Sequence, residues 1–155
     1  MNLLRRKFLK TASFVGAAVT VGSAVLIPQR AIAAYNKAAF EARDIDGALS
    51  ASLGSAQHSP SDSVTLKAPD IAENGAVVPI TVSASMGNVS AISIIASANP
   101  QPLTSTYQLS AVAEPYVSTR IKMAKTADIV AVVKADGKLY SSTKEVKVTI
   151  GGCGG

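Results

Sequence analysis

The sequence predicts a mainly β protein, an immunoglobulin-like antiparallel β-sandwich of about seven strands preceded by a short helical segment. Three observations lead there. From Val64 onward apolar residues recur at alternate positions, turn residues interrupt them at spacings of roughly 8 to 15 residues, and the alanine-rich stretch before them shows helical spacing instead. Tryptophan is absent and there is a single cysteine, which excludes an antibody-type domain with its buried Trp and disulfide.

Residues 34–54 lack β-branched runs. A turn or two of helix is expected over residues 35–42. Asp44 is placed to cap a second helix that carries Ile45, Ala48, Leu49 and Leu53 on one side and stops at Gly54. Residues 55–62 form a polar link containing the one histidine, His58. It has no metal-binding or catalytic partner nearby in sequence and reads as a solvated loop residue.

The sandwich is expected over residues 62–150. Val64, Leu66 and Ala68 alternate with polar residues before Pro69, and Glu73-Asn74-Gly75 supplies a turn. Val78, Ile80, Val82 and Ala84 then share a face opposite Thr81, Ser83 and Ser85. Pro79 cannot donate to a ladder, so this strand is expected to be an edge there or bulged. After Gly87-Asn88, Ile92, Ile94 and Ala96 form the next inward set, ended by Asn99-Pro100-Gln101-Pro102. Further strands are expected over residues 104–110, 117–123 and 129–134. Asp136-Gly137 is a hairpin signal, and the last strand spans 143–150 with Val146, Val148 and Ile150 inward. Both faces carry small or apolar residues such as Ala91, Val77 and Ile95, so the alternation alone does not select a partner-binding face.

The ends of the chain are unlike the middle. Residues 1–33 read as an export signal: Arg5, Arg6, Lys7 and Lys10, then an apolar run over residues 12–27, then Ala31-Ile32-Ala33 as an A-x-A cleavage site. The run is short of the roughly 20 residues a membrane span needs and is diluted by Gly16, Thr20, Gly22 and Ser23. Arg5-Arg6-Lys7-Phe8-Leu9-Lys10 resembles the twin-arginine motif of proteins exported already folded, with Leu4 where Ser or Thr is usual. A periplasmic mature chain beginning near Ala34 is therefore expected, with no membrane attachment after export.

Export changes the charge argument. The precursor has 15 basic and 10 acidic residues, but Arg5, Arg6, Lys7, Lys10 and Arg30 leave with the signal, so ten of each sign remain. The calculated pI of about 9.5 belongs to the precursor and does not indicate nucleic-acid binding. The remaining charge is unevenly distributed. Residues 34–110 are net acidic and residues 111–155 net basic.

Residues 151–155, Gly151-Gly152-Cys153-Gly154-Gly155, place the only cysteine between four glycines. Glycine loses the most backbone entropy on ordering, so this stretch is expected to be a mobile arm rather than part of a helix or strand. A thiol on such an arm is there for its sulfur chemistry, whereas a structural cysteine is usually buried as a small hydrophobe. No histidine, lysine or arginine within the pentapeptide activates it. Activation is expected from a site that the arm enters, and bulky neighbours would block that entry. In an oxidising compartment the exposed thiol also allows a disulfide-linked dimer through Cys153.

The terminal Gly-Gly-Cys-Gly-Gly resembles the SoxY family, the sulfur-carrier subunits of bacterial thiosulfate oxidation. Residues 68–75 (Ala-Pro-Asp-Ile-Ala-Glu-Asn-Gly) leading into Val78-Pro79-Ile80 support the resemblance. So do residues 118–123 (Ser-Thr-Arg-Ile-Lys-Met), 136–140 (Asp-Gly-Lys-Leu-Tyr) and 144–150 (Lys-Glu-Val-Lys-Val-Thr-Ile). The resemblance implies a covalent carrier role for Cys153, on an arm formed by Gly151, Gly152, Gly154 and Gly155. It implies a SoxZ-like β-protein as heterodimer partner, together with enzymes that load, hydrolyse and oxidise the bound sulfur: a c-type cytochrome, a hydrolase and a molybdenum-haem enzyme. The chain itself is expected to hold no cofactor, metal or catalytic residue, only the sulfur adduct.

Two other readings compete with this one. A C-terminal Gly-Gly also ends ubiquitin-like carriers that bear sulfur on the last glycine, but adenylation there needs ATP, which an exported protein lacks. A secreted structural or adhesive sandwich with an interchain disulfide through Cys153 is the alternative function. The tail matches neither a prenylation box nor a lipoprotein cysteine.

Overall fold

Residues 89–96 and 129–133 are apolar at nearly consecutive positions, and the structure, a computed structural model that describes residues 35–149, shows why. These segments are covered on both faces. Two helices, α1 (Lys37–Glu41) and α2 (Ile45–Leu53), lead into nine strands. The strands are β1 (Ser59–Pro60), β2 (Val64–Lys67), β3 (Ile71–Ala72), β4 (Val78–Ala84), β5 (Val89–Ala96), β6 (Leu103–Gln108), β7 (Tyr116–Ile121), β8 (Ala127–Ala135) and β9 (Lys138–Val148). The larger sheet has the order β1-β9-β8-β5-β6 with β3 also paired to β9, and the smaller has the order β2-β4-β7.

Between the sheets lies the main core, built from Val78, Ile80 and Val82 of β4, Ile92 and Ile94 of β5, Ile129, Ala131 and Val133 of β8, and Val146 of β9. The opposite face of the larger sheet offers Ala91, Ile95, Leu103, Val130, Val132 and Leu139 to Ala39, Ala48, Leu49 and Leu53 of the helices. Ala91 and Ile95 are thus occupied within the chain and are not a partner surface. Leu49 is fully buried in this layer, which stabilises the fold by about 1.5–3 kcal/mol.

Local chemistry explains the helix bounds. The Asp44 carboxylate accepts from the Gly47 N–H at 2.6 Å, and Gly54 ends α2 in the left-handed region at φ 86° while donating to Ser50 O. Lys134 of β8 donates to Leu53 O at 2.7 Å, tying the last turn of α2 to the sheet. The Asn36 side chain accepts from Ala39 N–H and donates to Ala51 O, joining α1 to α2.

The fold is a β-sandwich, with three differences of detail from expectation. β1 and β3 are two-residue strands that pair parallel to β9, so the pairing is not wholly antiparallel. Neither is long enough for alternation to register. The last strand begins at Lys138, directly after the Asp136-Gly137 turn; both turn residues have positive φ, 49° and 74°, as a two-residue hairpin requires. Met123 lies beyond the end of β7 yet is buried. At Pro79 the expectation of an edge holds: β4 is the central strand of the smaller sheet, but β2 pairs only with residues 81–84, so one flank of β4 is open at the proline. The missing N–H costs no ladder bond on that flank.

Candidate functional site

The expected site residues Cys153, Gly151, Gly152, Gly154 and Gly155 lie outside the described residues, as do Ile150, the export motif Arg5-Arg6 and the cleavage site. What the structure places is the end of β9, five residues before the thiol.

That end is held on both sides. β8 pairs antiparallel along β9 from Ala135↔Lys138 to Ala127↔Val146. On the other edge β3 pairs parallel, Ile71↔Lys147 and Ala72↔Val148, with Lys147 N–H donating to Asp70 O at 3.0 Å and Thr149 N–H to Ala72 O at 3.1 Å. Thr126 closes the side that β8 leaves open: its Oγ1 accepts from Val148 N–H at 2.9 Å. Val146 is fully buried and Val148 half-buried against the core, so the strand is anchored by its side chains as well.

Three loops surround this end. The β3–β4 loop turns through Asn74, whose side chain accepts from Ala76 N–H and whose carbonyl accepts from Val77 N–H. Gly75 is buried there, and Met123 N–H donates to its carbonyl at 2.7 Å. The β5–β6 and β7–β8 loops are joined by Asn99, which donates to Lys122 O and accepts from Ala124 N–H, both at 2.8 Å. Lys144 of β9 donates to Ala68 O at 2.6 Å and pairs with Asp70 at 2.9 Å, fixing the segment that leads into β3.

Segments quoted separately from the sequence therefore meet here. Residues 68–75, 118–123 and 144–149 converge on the end of β9, whereas residues 136–140 lie at its far end, where Asn88 bonds Asp136. Thr126 and Asn99 were not legible as supports, since a side chain bonding to backbone across loops leaves no periodic trace. Glu73-Asn74-Gly75 was legible as a turn but not as a close packing point.

The rest of the described surface offers little chemistry. His58 is exposed in the link, as expected, and its Nδ1 lies 2.9 Å from the buried Ser141 Oγ. It borders an open cleft of about 620 Å³ with Gln57, Lys138 and Tyr140, at the far end of β9 from Val148. Among the described residues no group of three or more His, Cys, Asp or Glu is placed to hold a metal ion. No described helix is long and apolar enough to cross a membrane.

The family model for the sulfur oxidation protein SoxY matches residues 49–153, from α2 through Cys153. This chain belongs to the SoxY family. Among solved structures it is similar to the sulfur carrier protein SoxY from Chlorobium limicola f thiosulfatophilum, at 45% identity and a TM-score of 0.63, covering 69% of this chain and 97% of that one. Superoxide reductase (neelaredoxin) from Ignicoccus hospitalis aligns over 56% of this chain and 80% of its own at 18% identity, TM-score 0.50, a likeness of fold alone. No curated protein sequence matches. SoxY membership and the Chlorobium structure support a sulfur-carrier role, consistent with a non-catalytic protein, and imply Sox-system partners such as SoxZ. The SoxY match reaches the only cysteine of the chain, and the pinned end of β9 is the described structure next to it.

Proposed function

We propose that this chain is a periplasmic carrier of thiosulfate-derived sulfur, exported folded by the twin-arginine route, with Cys153 as the attachment point. The observation that carries the reading is the end of β9: the backbone is hydrogen-bonded through Thr149, and the thiol follows four residues later in a stretch otherwise of Ile and Gly. A fixed base and a permissive tip let a thiol enter a partner's recess without unfolding the carrier.

The chemistry divides between carrier and partners. In loading, the Cys153 sulfur forms a bond to the sulfane sulfur of thiosulfate, giving a cysteine S-thiosulfonate; one proton and two electrons are released, the electrons to a c-type cytochrome enzyme. Hydrolysis of the terminal S–S bond by water then releases sulfate and leaves a persulfide on Cys153, whose outer sulfur a further enzyme oxidises. The carrier itself contributes only the thiol, its reach and a stable base. A SoxZ-like β-protein is its heterodimer partner. Haem and metal chemistry belongs to the partner enzymes.

The test is intact mass spectrometry of the protein from periplasm of thiosulfate-grown cells, before and after a reductant, with Cys153→Ser alongside. Reducible adducts of the mass of sulfur or thiosulfate are expected on the wild type and absent from the variant. The same spectrum reads the N-terminus, expected near Ala34. A bare mature chain, or adducts that persist in the variant, would move the assignment to a structural sandwich.

A further inference from the structure

The exposed large apolar residues of the described chain are few, and two of them lie at the end of β9. Ile71 is 57% exposed and Val77 49%. Ile71 is registered against Lys147, and Val77 follows the Asn74 turn beside Gly75, whose neighbours are Met123 and Val148. Val112 and Tyr116, also exposed, lie at the opposite end, since Tyr116 pairs with Ser83 while Val78 pairs with Ile121 at the arm end. Tyr35, 68% exposed, borders Asn99 and Lys122 of the loops at this end, whereas Ile71 and Val77 lie on β3 and the β3–β4 loop, directly beside the end of β9 from which the arm continues.

The length of the arm decides what touches them. Thr149 is the last residue with a described backbone hydrogen bond, and four steps separate it from Cys153. Four residues extend at most about 14 Å. Enzyme sites that exclude water are recessed. A reacting centre whose depth below the rim approaches the reach of the arm leaves no more than van der Waals separation between that rim and the surface around Thr149. The carrier cannot deliver its thiol to such a centre while standing off from the enzyme.

We infer that Ile71 and Val77 form a docking collar for the rim of the recessed enzyme site that receives the arm. This rests on the carrier reading of Cys153 and adds the surface through which the partner enzyme is recognised. The rim that fits the collar is apolar where it meets these two side chains. Recognition is shared among the enzymes that use the arm, because the same short tether imposes the same contact on each.

The experiment compares four forms of the protein as purified from periplasm: wild type, Ile71→Asp with Val77→Asp, the wild type with Gly-Ser-Gly-Ser inserted after Ile150, and the double variant with that insertion. The insert lengthens the tether by about 13 Å. Loading is followed by intact mass with the c-type cytochrome enzyme of the same Sox system, thiosulfate and an electron acceptor. A small soluble disulfide reagent reports intrinsic access to Cys153, and thermal unfolding reports the fold. The expected result is a fall of tenfold or more in kcat/KM for the double variant, unchanged reaction with the small reagent, and recovery of most of the loss in the lengthened double variant. Ile71→Ser with Val77→Ser, milder at exposed positions, is expected to give a smaller fall of the same kind and serves if the aspartates unfold the protein. Undiminished loading in the variants overturns the collar, and so does a loss that the longer tether does not recover. A wild type that gains no adduct on Cys153 overturns the carrier reading first, and the collar with it.

Discussion

Met123 donates its backbone N–H to Gly75 O at 2.7 Å, while a Cβ on Gly75 would stand 2.6 Å from Met123 O and 2.9 Å from Val148 Cγ1. The β3–β4 loop can thus lie against both the β7–β8 loop and the end of β9 only because residue 75 has no side chain. The base of the arm is a three-way contact made by a glycine.

Gly75→Ala is expected to destabilise the protein by roughly 1–3 kcal/mol, since the neighbouring atom at closest approach is backbone and cannot rotate away. Thermal or urea unfolding measures this, and Gly87→Ala, where a Cβ would meet nothing within 4 Å, is the matched control. Equal effects at the two positions would contradict the close approach.

Thr126→Val removes the acceptor for Val148 N–H at the point where the β8 ladder has ended. The residue is exposed and water can replace the hydroxyl, so a global cost of about 1 kcal/mol or less is expected. Amide hydrogen exchange is the sensitive readout: Val148 should exchange faster in the variant, with Val130 and Val132 in mid-strand unchanged.

Lys144 serves two acceptors of unequal worth. Asp70 is 89% exposed at its side chain, so the ion pair is worth only about 0.2–1 kcal/mol and is screened by salt. The bond to Ala68 O is shorter and part-buried. Lys144→Met is therefore expected to cost more than Asp70→Asn, roughly 1–2 kcal/mol, as a charge-assisted bond to a carbonyl is lost. In urea unfolding at low and at 1 M salt, the Asp70→Asn effect should shrink while most of the Lys144→Met effect persists.

At the two ends of α2, Asp44→Ala and Gly54→Ala are each expected to cost about 1 kcal/mol, the first by removing the acceptor for Gly47 N–H, the second by forcing a Cβ into the left-handed region. The termini are separated by the length of the helix and share no partner. The double variant should show the sum within about 0.5 kcal/mol.

Much of the layout was legible beforehand because its signals are local. Alternation located β4, and the Asp136-Gly137 turn requires positive φ at both residues, which their identities permit. The αL position at Gly54 and the cap at Asp44 are likewise properties of single residues and their nearest neighbours. The part of the candidate site that was readable, Cys153 among four glycines, is also a composition within five residues.

Period, turn chemistry and residue count act within a few positions along the chain, and they suffice for the sandwich, the capped helix and the single thiol near the last strand. Long-range packing selected which apolar positions face the helices rather than a partner, as Ala91 and Ile95 show. It also decided that residues 71–72, without any periodic signal, add a parallel strand to β9, and that Gly75, Asn99 and Thr126 brace its end. Each of those contacts joins backbone to backbone or to a small polar side chain across at least 22 residues of sequence, from Asn99 to Lys122 and from Thr126 to Val148. Such pairing depends on where the packed sheets bring the chain, and no local pattern carries it.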